Sequence, residues 1–446
     1  MSLFNLFSEG VILKVGDIIT NQSVSDKLNF LMKSQWWDEN QLRQYQKERL
    51  RMIIKHSVET VPYYRDLFNE LSLKPDDIKT HEDLKKLPIL TKASIKKEGI
   101  DRFTSSEISK NKIISCGSSG STGEPLFYLN TKEAYSMNLA ANLRGWYWMN
   151  YRLGDKYIKL SQNARKNFGK RLQDKMSRNL YLATNPMIDS NFEYILNVIE
   201  HYKPKVIRCY PDPLLYLARY KQHHPEFSYH PQVITSTGNT LHPETRSEIE
   251  ISFGCKIFDS YSCEGNSTVF ECPSHTCYHS TEEYGISEVI DNNGNNLTTG
   301  TGRLISTDLW NMAHPFIRYD TQDFIEIDNS PCICSRKHLR INKIIGRDNE
   351  VLIMDTGRIF IVHNFTGFFQ ADTLQIKRSI DRFQVIKLKN GTILFRLIVN
   401  HNYDNSVRDY ILNYWENEFK TKVGIEITEQ IPFTASGKRL FIINEQ

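Results

Sequence analysis

The sequence predicts an α/β protein: a large layered α/β N-terminal domain with a β-rich part, followed by a small α+β C-terminal domain. Three observations carry this. Helical and strand-like stretches alternate from about 130 to 260, the pattern of a layered α/β unit. From about 283 the chain turns β-rich. Beyond 350 it reads as strands at 382–387 and 392–399, a helix at 406–419 and a last strand at 423–428.

The N-terminal stretch Met1–Thr20 has apolar patches interrupted by Glu9, Lys14 and Asp17, and it lacks the plan of a signal peptide. Residues 3–19 read as a docking helix, with a helix lying on a membrane surface as the alternative. Residues 39–72 read as helix, because Leu42, Tyr45, Leu50, Ile53 and Ile54 recur at helical spacing; Pro62 then breaks the pattern. Residues 80–115 are mixed, with Lys92, Lys96 and Lys97 on an exposed face. The layered part follows, with helices at 134–148 and 192–201 and buried strands at 206–210 and 232–236. Strands at 285–290, 302–307, 324–327 and 351–353 make up the β-rich part. The boundary falls near Gly346–Glu350, giving domains 1–346 and 347–446.

A chain of 446 residues has room for one large domain and one smaller one. With 40% hydrophobic and 24% charged residues, it has the balance of a globular protein with a sizeable core. A net charge of +4, evenly spread, argues against a nucleic-acid groove and suits a protein that handles a polyanion. No apolar run is long enough to span a bilayer, and the chain reads as cytoplasmic. A reducing compartment disfavours a disulfide framework, so the close pairs Cys272/Cys277 and Cys332/Cys334 read as metal ligands. Cys272, His279, Cys332 and Cys334 supply the three thiolates and one imidazole of a tetrahedral zinc set, a knuckle within about 270–335. Cys277 or His275 could replace one of them, and unligated surface thiols are the alternative reading. Four protein ligands leave no open position, so this zinc is structural.

The most informative stretch is Ser118-Ser119-Gly120-Ser121-Thr122-Gly123-Glu124-Pro125, between strand-like segments at 112–115 and 126–129. Glycines let backbone amides turn inward and hydroxyls add donors, so such a loop can cradle phosphate oxygens. It is not a Walker loop, because no Lys-Ser/Thr follows the last glycine. Taken alone it reads equally as a flexible surface loop. Four further stretches follow: Asp259-Ser260-Tyr261-Ser262-Cys263-Glu264-Gly265, Ile317-Arg318-Tyr319-Asp320-Thr321-Gln322-Asp323, Gly346-Arg347-Asp348-Asn349-Glu350 and Pro432-Phe433-Thr434-Ala435-Ser436-Gly437-Lys438.

In this order, over residues 118–438, these stretches closely resemble the motifs of the adenylate-forming superfamily of acyl-CoA synthetases, luciferases and adenylation domains. The resemblance implies ATP and Mg²⁺ as cofactors and a role for each residue. Ser118, Ser119, Gly120, Ser121 and Gly123 would hold the β- and γ-phosphates, with Thr122 as a hydroxyl donor. Tyr261 or Ser260 would stand where the family has an aromatic near adenine, one residue closer than usual to Glu264, the acid that holds Mg²⁺. Asp323 would grip the ribose hydroxyls, since one carboxylate accepts two hydrogen bonds; Gln322 replaces the family's glycine before it. Arg347 would contact the ribose–phosphate region at a hinge, with Glu350 where Asp is usual. Lys438 would be the catalytic lysine, brought in by a mobile C-terminal lid.

Within the superfamily, the phenylacetate–CoA ligase and CapK-like branch is the one this chain resembles. The stretches Val61-Pro62-Tyr63-Tyr64-Arg65, Leu87-Pro88-Ile89-Leu90-Thr91-Lys92, Cys209-Tyr210-Pro211, Phe270-Glu271-Cys272-Pro273 and Thr307-Asp308-Leu309-Trp310-Asn311 carry that likeness. The branch includes members with zinc at a knuckle so placed, and CapK-like members are often encoded with surface-polysaccharide genes. The implied function is activation of a carboxylic acid with ATP to an acyl-adenylate and pyrophosphate, then transfer to CoA or another acceptor. A nucleotidyltransferase that leaves AMP on its acceptor is the alternative. A non-catalytic scaffold is a third reading, against which the joint presence of Glu264, Asp323 and Lys438 argues. A carboxylate attacking ATP is anion meeting anion, so positioning and electrostatics must do most of the work. The acid's pocket is expected from 139–150 and 207–240, where Trp146, Trp148 and Tyr210 are either aromatic walls or core, with Asn239 and His242 adding polarity. A homodimer is left open.

Overall fold

A computed structural model describes residues 2–117, 126–161, 174–184, 188–263, 267–347, 351–354, 359–369, 375–376, 379–431 and 440–445. Contacts divide the chain into two units. The first comprises Met1–Ser118, Leu126–Thr321 and Ile325–Ile344; the second gathers Gln322–Phe324 and Ile345–Gln446.

The first unit opens with helices. Asp38 starts Glu39–Thr60 through a reciprocal capping box with Gln41, at 2.9 and 3.1 Å, which satisfies two donors the helix would otherwise leave orphaned. Leu42, Leu50, Ile53 and Ile54 form its buried stripe. Pro62 has no N–H and cannot continue the ladder, yet its fixed φ suits a first turn. The stretch read as helix over 39–72 is therefore two helices, Glu39–Thr60 and Pro62–Glu70.

Behind them lies a mixed sheet. Asn179–Ala183, Tyr157–Ser161, Val206–Cys209, Val233–Thr237 and Ile257–Cys263 run parallel in that spatial order. Parallel strands need crossovers, and the helices Asp189–Tyr202, Pro211–Gln222 and Pro243–Phe253 provide them. Leu196, Ile199, Ile207, Leu217, Ile234, Phe253 and Ile257 pack strand and helix faces together. Such strands are apolar on both faces, which is why 232–236 was legible as a buried run. Gly254 ends one crossover helix at φ +62; a Cβ there would stand 2.6 Å from His230 Nδ1, so both conformation and space require glycine. Past Ile257–Cys263 the sheet turns antiparallel with Ser267–Glu271 and Tyr278–Ser280, and Arg340–Arg347, Tyr319–Asp328, Gly300–Asp308 and Gly285–Ile290 complete it. This is the mixed α/β architecture with a β-rich part that the sequence predicts.

The second unit carries a sheet of Val423–Ile427, Ile393–Val399, Ile380–Lys387 and Ile442–Asn444, with the helix Asn405–Phe419. Asp404 caps that helix through Val407 N–H at 3.0 Å. Its core is dense in aromatics: Phe365 and Trp415 lie 4.8 Å apart and Trp415 and Phe419 4.9 Å apart. Large rings bury much area per residue, which helps a unit this small hold a core.

Candidate functional site

Of the residues singled out by sequence, Ser118, Ser119, Gly120, Ser121, Thr122, Gly123, Glu264 and Lys438 lie outside the described residues, and Arg347 is described only as the last residue of a strand. What frames the first loop is described. Ile113–Gly117 pairs antiparallel with Phe127–Thr131, with Gly117 opposite Phe127, so the Ser/Gly stretch joins two strands of a hairpin. Asn311 holds the far strand: its Oδ1 accepts from Thr131 N–H at 3.1 Å and its Nδ2 donates to Leu129 O at 2.9 Å. Asn311 is itself set by Asp308 Oδ1, which accepts from its N–H at 2.9 Å and from that of Trp310 at 2.6 Å. The stretch Thr307–Asn311 is thus a buried knot that fixes the strand leaving the loop.

The stretch ending in Asp323 is held from the N-terminal side. Leu90 N–H donates to Arg318 O at 2.9 Å, and Asp320 N–H donates to Leu90 O at 2.9 Å. Arg318, with φ +52, sends its guanidinium back to Glu288 with two bonds of 3.1 Å and to Leu87 O at 2.6 Å. Burial raises the Glu288 pKa and Arg318 opposes the rise. This arginine is a brace for its own strand. Gln322 has φ +63, so the backbone keeps a left-handed turn where the resembled motif has glycine. Asp323 follows on the strand Tyr319–Asp328 and is 3% exposed.

On Ile257–Cys263, Tyr261 packs against the cluster of Val269, Val289, Leu304 and Ile325. Two residues earlier, Asp259 is buried in a polar network that sequence reasoning missed. Ser236 Oγ and Tyr278 OH donate to its carboxylate, the latter at 3.2 Å, and its own N–H donates to Glu271 Oε2 at 2.7 Å. Arg246 Nη2 reaches the same Glu271 oxygen at 2.9 Å. Burial pushes the Asp259 carboxyl up to about 6, with Glu271 adding to the rise and Ser236 opposing it.

The Cys/His cluster is compact. Ligand atoms of Cys272, Cys277, His279 and Cys332 all lie within 4.8 Å of one another. Cys332 Sγ is 3.6 Å from Cys272 Sγ and 3.5 Å from Cys277 Sγ; His279 Nε2 is 3.8 Å from Cys277 Sγ and 3.2 Å from Cys334 Sγ. A zinc tetrahedron with bonds of about 2.3 Å has sulfur–sulfur edges of about 3.8 Å. The spacing therefore fits a metal and is far too long for disulfides. His279 Nδ1 sits 3.4 Å from His338 O, an outer contact that turns Nε2 toward the sulfurs. Cys277, named as a substitute from sequence, stands inside the group. His275 turns away to Glu271 Oε1 at 3.1 Å.

The expected pocket residues are packed to different degrees. Trp148 is 8% exposed, donates through Nε1 to Gln35 Oε1 at 2.9 Å and stacks on Arg336 at 4.2 Å. Trp146 packs on Tyr151 and Tyr157 at 5.4 Å. Trp148 is therefore core, whereas Trp146 stays half-buried. Tyr210 lies against Gly238, whose φ is +84 and whose Cβ would come within 2.6 Å of the ring. Asn239 Nδ2 donates to Asp212 Oδ2 at 3.1 Å.

With this geometry in hand, the likeness to known proteins is specific. Residues 357–445 match the CapK C-terminal domain family. The chain is 24% identical to protein CapK of Staphylococcus aureus over 422 residues, covering 91% of this chain and 90% of that protein. It is 26% identical to the phenylacetate-coenzyme A ligase of Pseudomonas putida over 426 residues, covering 89% of this chain and 91% of that one. Among solved structures, 2-hydroxyisobutyryl-CoA ligase in the postadenylation state superposes with a TM-score of 0.72 at 14% identity, covering 93% of this chain and 92% of that chain. The chain thus has CapK and phenylacetate-CoA ligases as relatives and the fold of the adenylate-forming acyl-CoA ligases.

Proposed function

We propose that this chain, a relative of CapK and the phenylacetate-CoA ligases, is an adenylate-forming ligase that activates a carboxylic acid with MgATP and passes the acyl group to CoA or another acceptor. The single observation that carries the reading is the strand Tyr319–Asp328, where a left-handed Gln322 sets Asp323 in place. That backbone suits a carboxylate held rigid for a cis-diol, and a rigid acceptor gains most from each hydrogen bond. The braced hairpin flanking residues 118–125 supports the same reading, since a phosphate loop must be fixed at both ends.

In this assignment Thr122 and its neighbours hold the β- and γ-phosphates, Tyr261 lies toward adenine, Glu264 faces Mg²⁺ and Arg347 meets the ribose–phosphate region. Lys438, carried by a lid of residues 347–446, offsets charge on the α-phosphate as pyrophosphate leaves. A setting in surface-polysaccharide assembly is part of this proposal, suggested by the resemblance to CapK-like members. The test is a pyrophosphate-release screen across aryl, acyl, amino and sugar acids, with and without CoA. Release that requires one acid class, and AMP freed in step with it, supports a ligase. AMP retained on the product makes the chain a nucleotidyltransferase, and no release with any acid removes the reading.

Cys272, Cys277, His279 and Cys332, with Cys334 beside them, would hold one zinc ion. Zinc there supplies folding energy and no open coordination position.

A further inference from the structure

The first helical segment presents a row of apolar side chains outward. Leu3–Phe7, the π-turn Ser8–Ile12 and Leu13–Thr20 follow one another without a break. Its polar side chains make the attachments to the protein. Asn5, 3% exposed, donates through Nδ2 to Leu153 O at 2.9 Å and to Asp155 Oδ1 at 3.0 Å. Glu9 Oε1 accepts from Tyr147 OH at 2.6 Å. Asp17 accepts from Val24 N–H at 2.9 Å and from Ser25 N–H at 2.8 Å, capping the next helix.

Leu13 packs on the core, while a run of other apolar side chains faces water: Leu3 is 86% exposed, Phe7 50%, Val11 45%, Val15 47%, Ile18 80% and Ile19 78%. A repeat of four residues drifts around a 3.6-residue turn; the π-turn underwinds the segment and keeps Phe7, Val11 and Val15 on one side. Single exposed apolar residues are ordinary, but a continuous stripe marks a contact surface.

The charge around the stripe says what covers it. The acids of the segment, Glu9 and Asp17, are turned into the protein and hydrogen-bonded. Cations stand beside the segment. Lys14 is exposed on the segment itself. The Arg178 guanidinium lies 3.9 Å over the Phe4 ring, and Arg152 lies 4.1 Å over Tyr147, the partner of Glu9. Lys156 reaches Tyr202 O at 2.9 Å, and Tyr202 OH donates to Arg178 O at 2.7 Å, which places Lys156 in the same neighbourhood. Lys175 precedes Arg178 in one turn, with Met176 58% exposed between them. Two such surfaces face to face would oppose like charges. An anionic bilayer meets both features, taking the apolar stripe into the acyl boundary and the cations among headgroup phosphates.

We propose that residues 3–20 dock this protein on an anionic lipid surface, with Leu3, Phe7, Val11, Val15, Ile18 and Ile19 as the inserted face. The experiment is sedimentation of the full chain with vesicles of phosphatidylglycerol and phosphatidylcholine, beside vesicles of phosphatidylcholine alone. Binding is expected on the anionic vesicles and should weaken as salt rises. Val11→Glu with Val15→Glu should weaken it by at least about tenfold, because charged groups then enter the acyl boundary. Arg178→Ala or Lys175→Ala should each weaken it by about fivefold. If the glutamate pair lowers the thermal midpoint, Ile18→Ser with Ile19→Ser tests the same face without touching an anchor. The proposal is overturned if the native chain sediments with neither vesicle, or if a folded stripe variant binds as well as the native chain. It is equally overturned if the native chain is a dimer that these variants dissociate, since a second copy would then cover the stripe.

Discussion

Asn311 accepts from Thr131 N–H across a sequence separation of 180 residues, and Thr131 Oγ1 in turn accepts from Ala134 N–H at 3.1 Å to start the helix Lys132–Trp148. One side-chain amide therefore sets both the strand that leaves the Ser/Gly loop and the helix after it. Asn311→Ala would leave the buried Thr131 N–H and the carbonyls of Leu129 and His314 without this partner. A stability loss of about 1–3 kcal/mol is expected in urea unfolding. A loss much below that range would mean that solvent or neighbours replace the amide.

Arg144 and Glu283 form an ion pair of 2.9 Å with both side chains 0% exposed. Burial alone would raise the Glu283 pKa; Arg144 and His338 overcome that and hold it well below the usual carboxylate range. Ser34 Oγ donates to the same carboxylate at 2.6 Å. Glu283→Gln should cost about 3–5 kcal/mol, because it strands a buried guanidinium. Replacing both, as Arg144→Met with Glu283→Leu, should cost less than the sum of the single changes. Additive losses in the double-mutant cycle would show that the two do not act as a pair.

His314 is sealed between two rings, 5.7 Å from Phe103 and 4.8 Å from Phe316, and is fully buried. Burial lowers its pKa from 6.5 to about 3. The unfolded chain therefore binds a proton below 6.5 that the folded chain refuses until about 3. Stability from this group is intact above the unfolded value and falls as pH drops through the window, by about 1.4 kcal/mol per pH unit at the steepest. His314→Phe should flatten the stability–pH curve of the native protein between pH 6 and 4 (roughly the centre of that window). An unchanged slope would assign the acid sensitivity elsewhere.

The parts legible in the sequence were those written in local pattern. Val233–Thr237 is a short buried run, and a run of that kind between turn signals reads directly as a parallel strand. Pro62 marks a helix break by its missing N–H alone. The cysteine spacing located the knuckle, but choosing between Cys277 and Cys334 depends on distances that spacing does not contain. The Arg144–Glu283 pair could not be read at all, because 139 positions separate the partners and periodicity gives a face without naming its neighbour. The N-terminal segment does rest on the protein, but its periodicity does not say which side chains hold it: Asn5, Glu9 and Asp17 make the polar attachments and Leu13 packs on the core.

Metal content tests the knuckle. Purified protein should carry about one zinc per chain, and Cys277→Ser should lose it together with thermal stability. Cys334→Ser should keep more of the metal than Cys277→Ser, because Cys277 stands within the group of mutually close ligand atoms. Metal analysis that finds no zinc in protein purified without chelator would sink the assignment. More metal retained in Cys277→Ser than in Cys334→Ser would exchange the roles of the two cysteines.

Asp323 and Gln322 allow the nucleotide assignment to be tested through the ligand as well as the protein. Gln322 occupies the left-handed region at φ +63, where a side chain costs about 1–2 kcal/mol over glycine. Glycine relieves that strain but gives back up to about 1 kcal/mol through a freer unfolded chain. Gln322→Gly should therefore change stability by no more than about 1 kcal/mol and leave ATP binding intact, since the backbone that presents Asp323 stays the same. Asp323→Ala should weaken ATP by about 10²-fold, the loss of two hydrogen bonds to a charged acceptor. The variant alone does not separate a ribose contact from a damaged strand, so the ligand must be changed too. If Asp323 grips the diol, 2′-deoxy-ATP loses affinity for the native protein and loses almost nothing further in Asp323→Ala. If the deoxy nucleotide is penalised equally in both proteins, Asp323 serves the strand Tyr319–Asp328 and the ribose contact must be sought elsewhere.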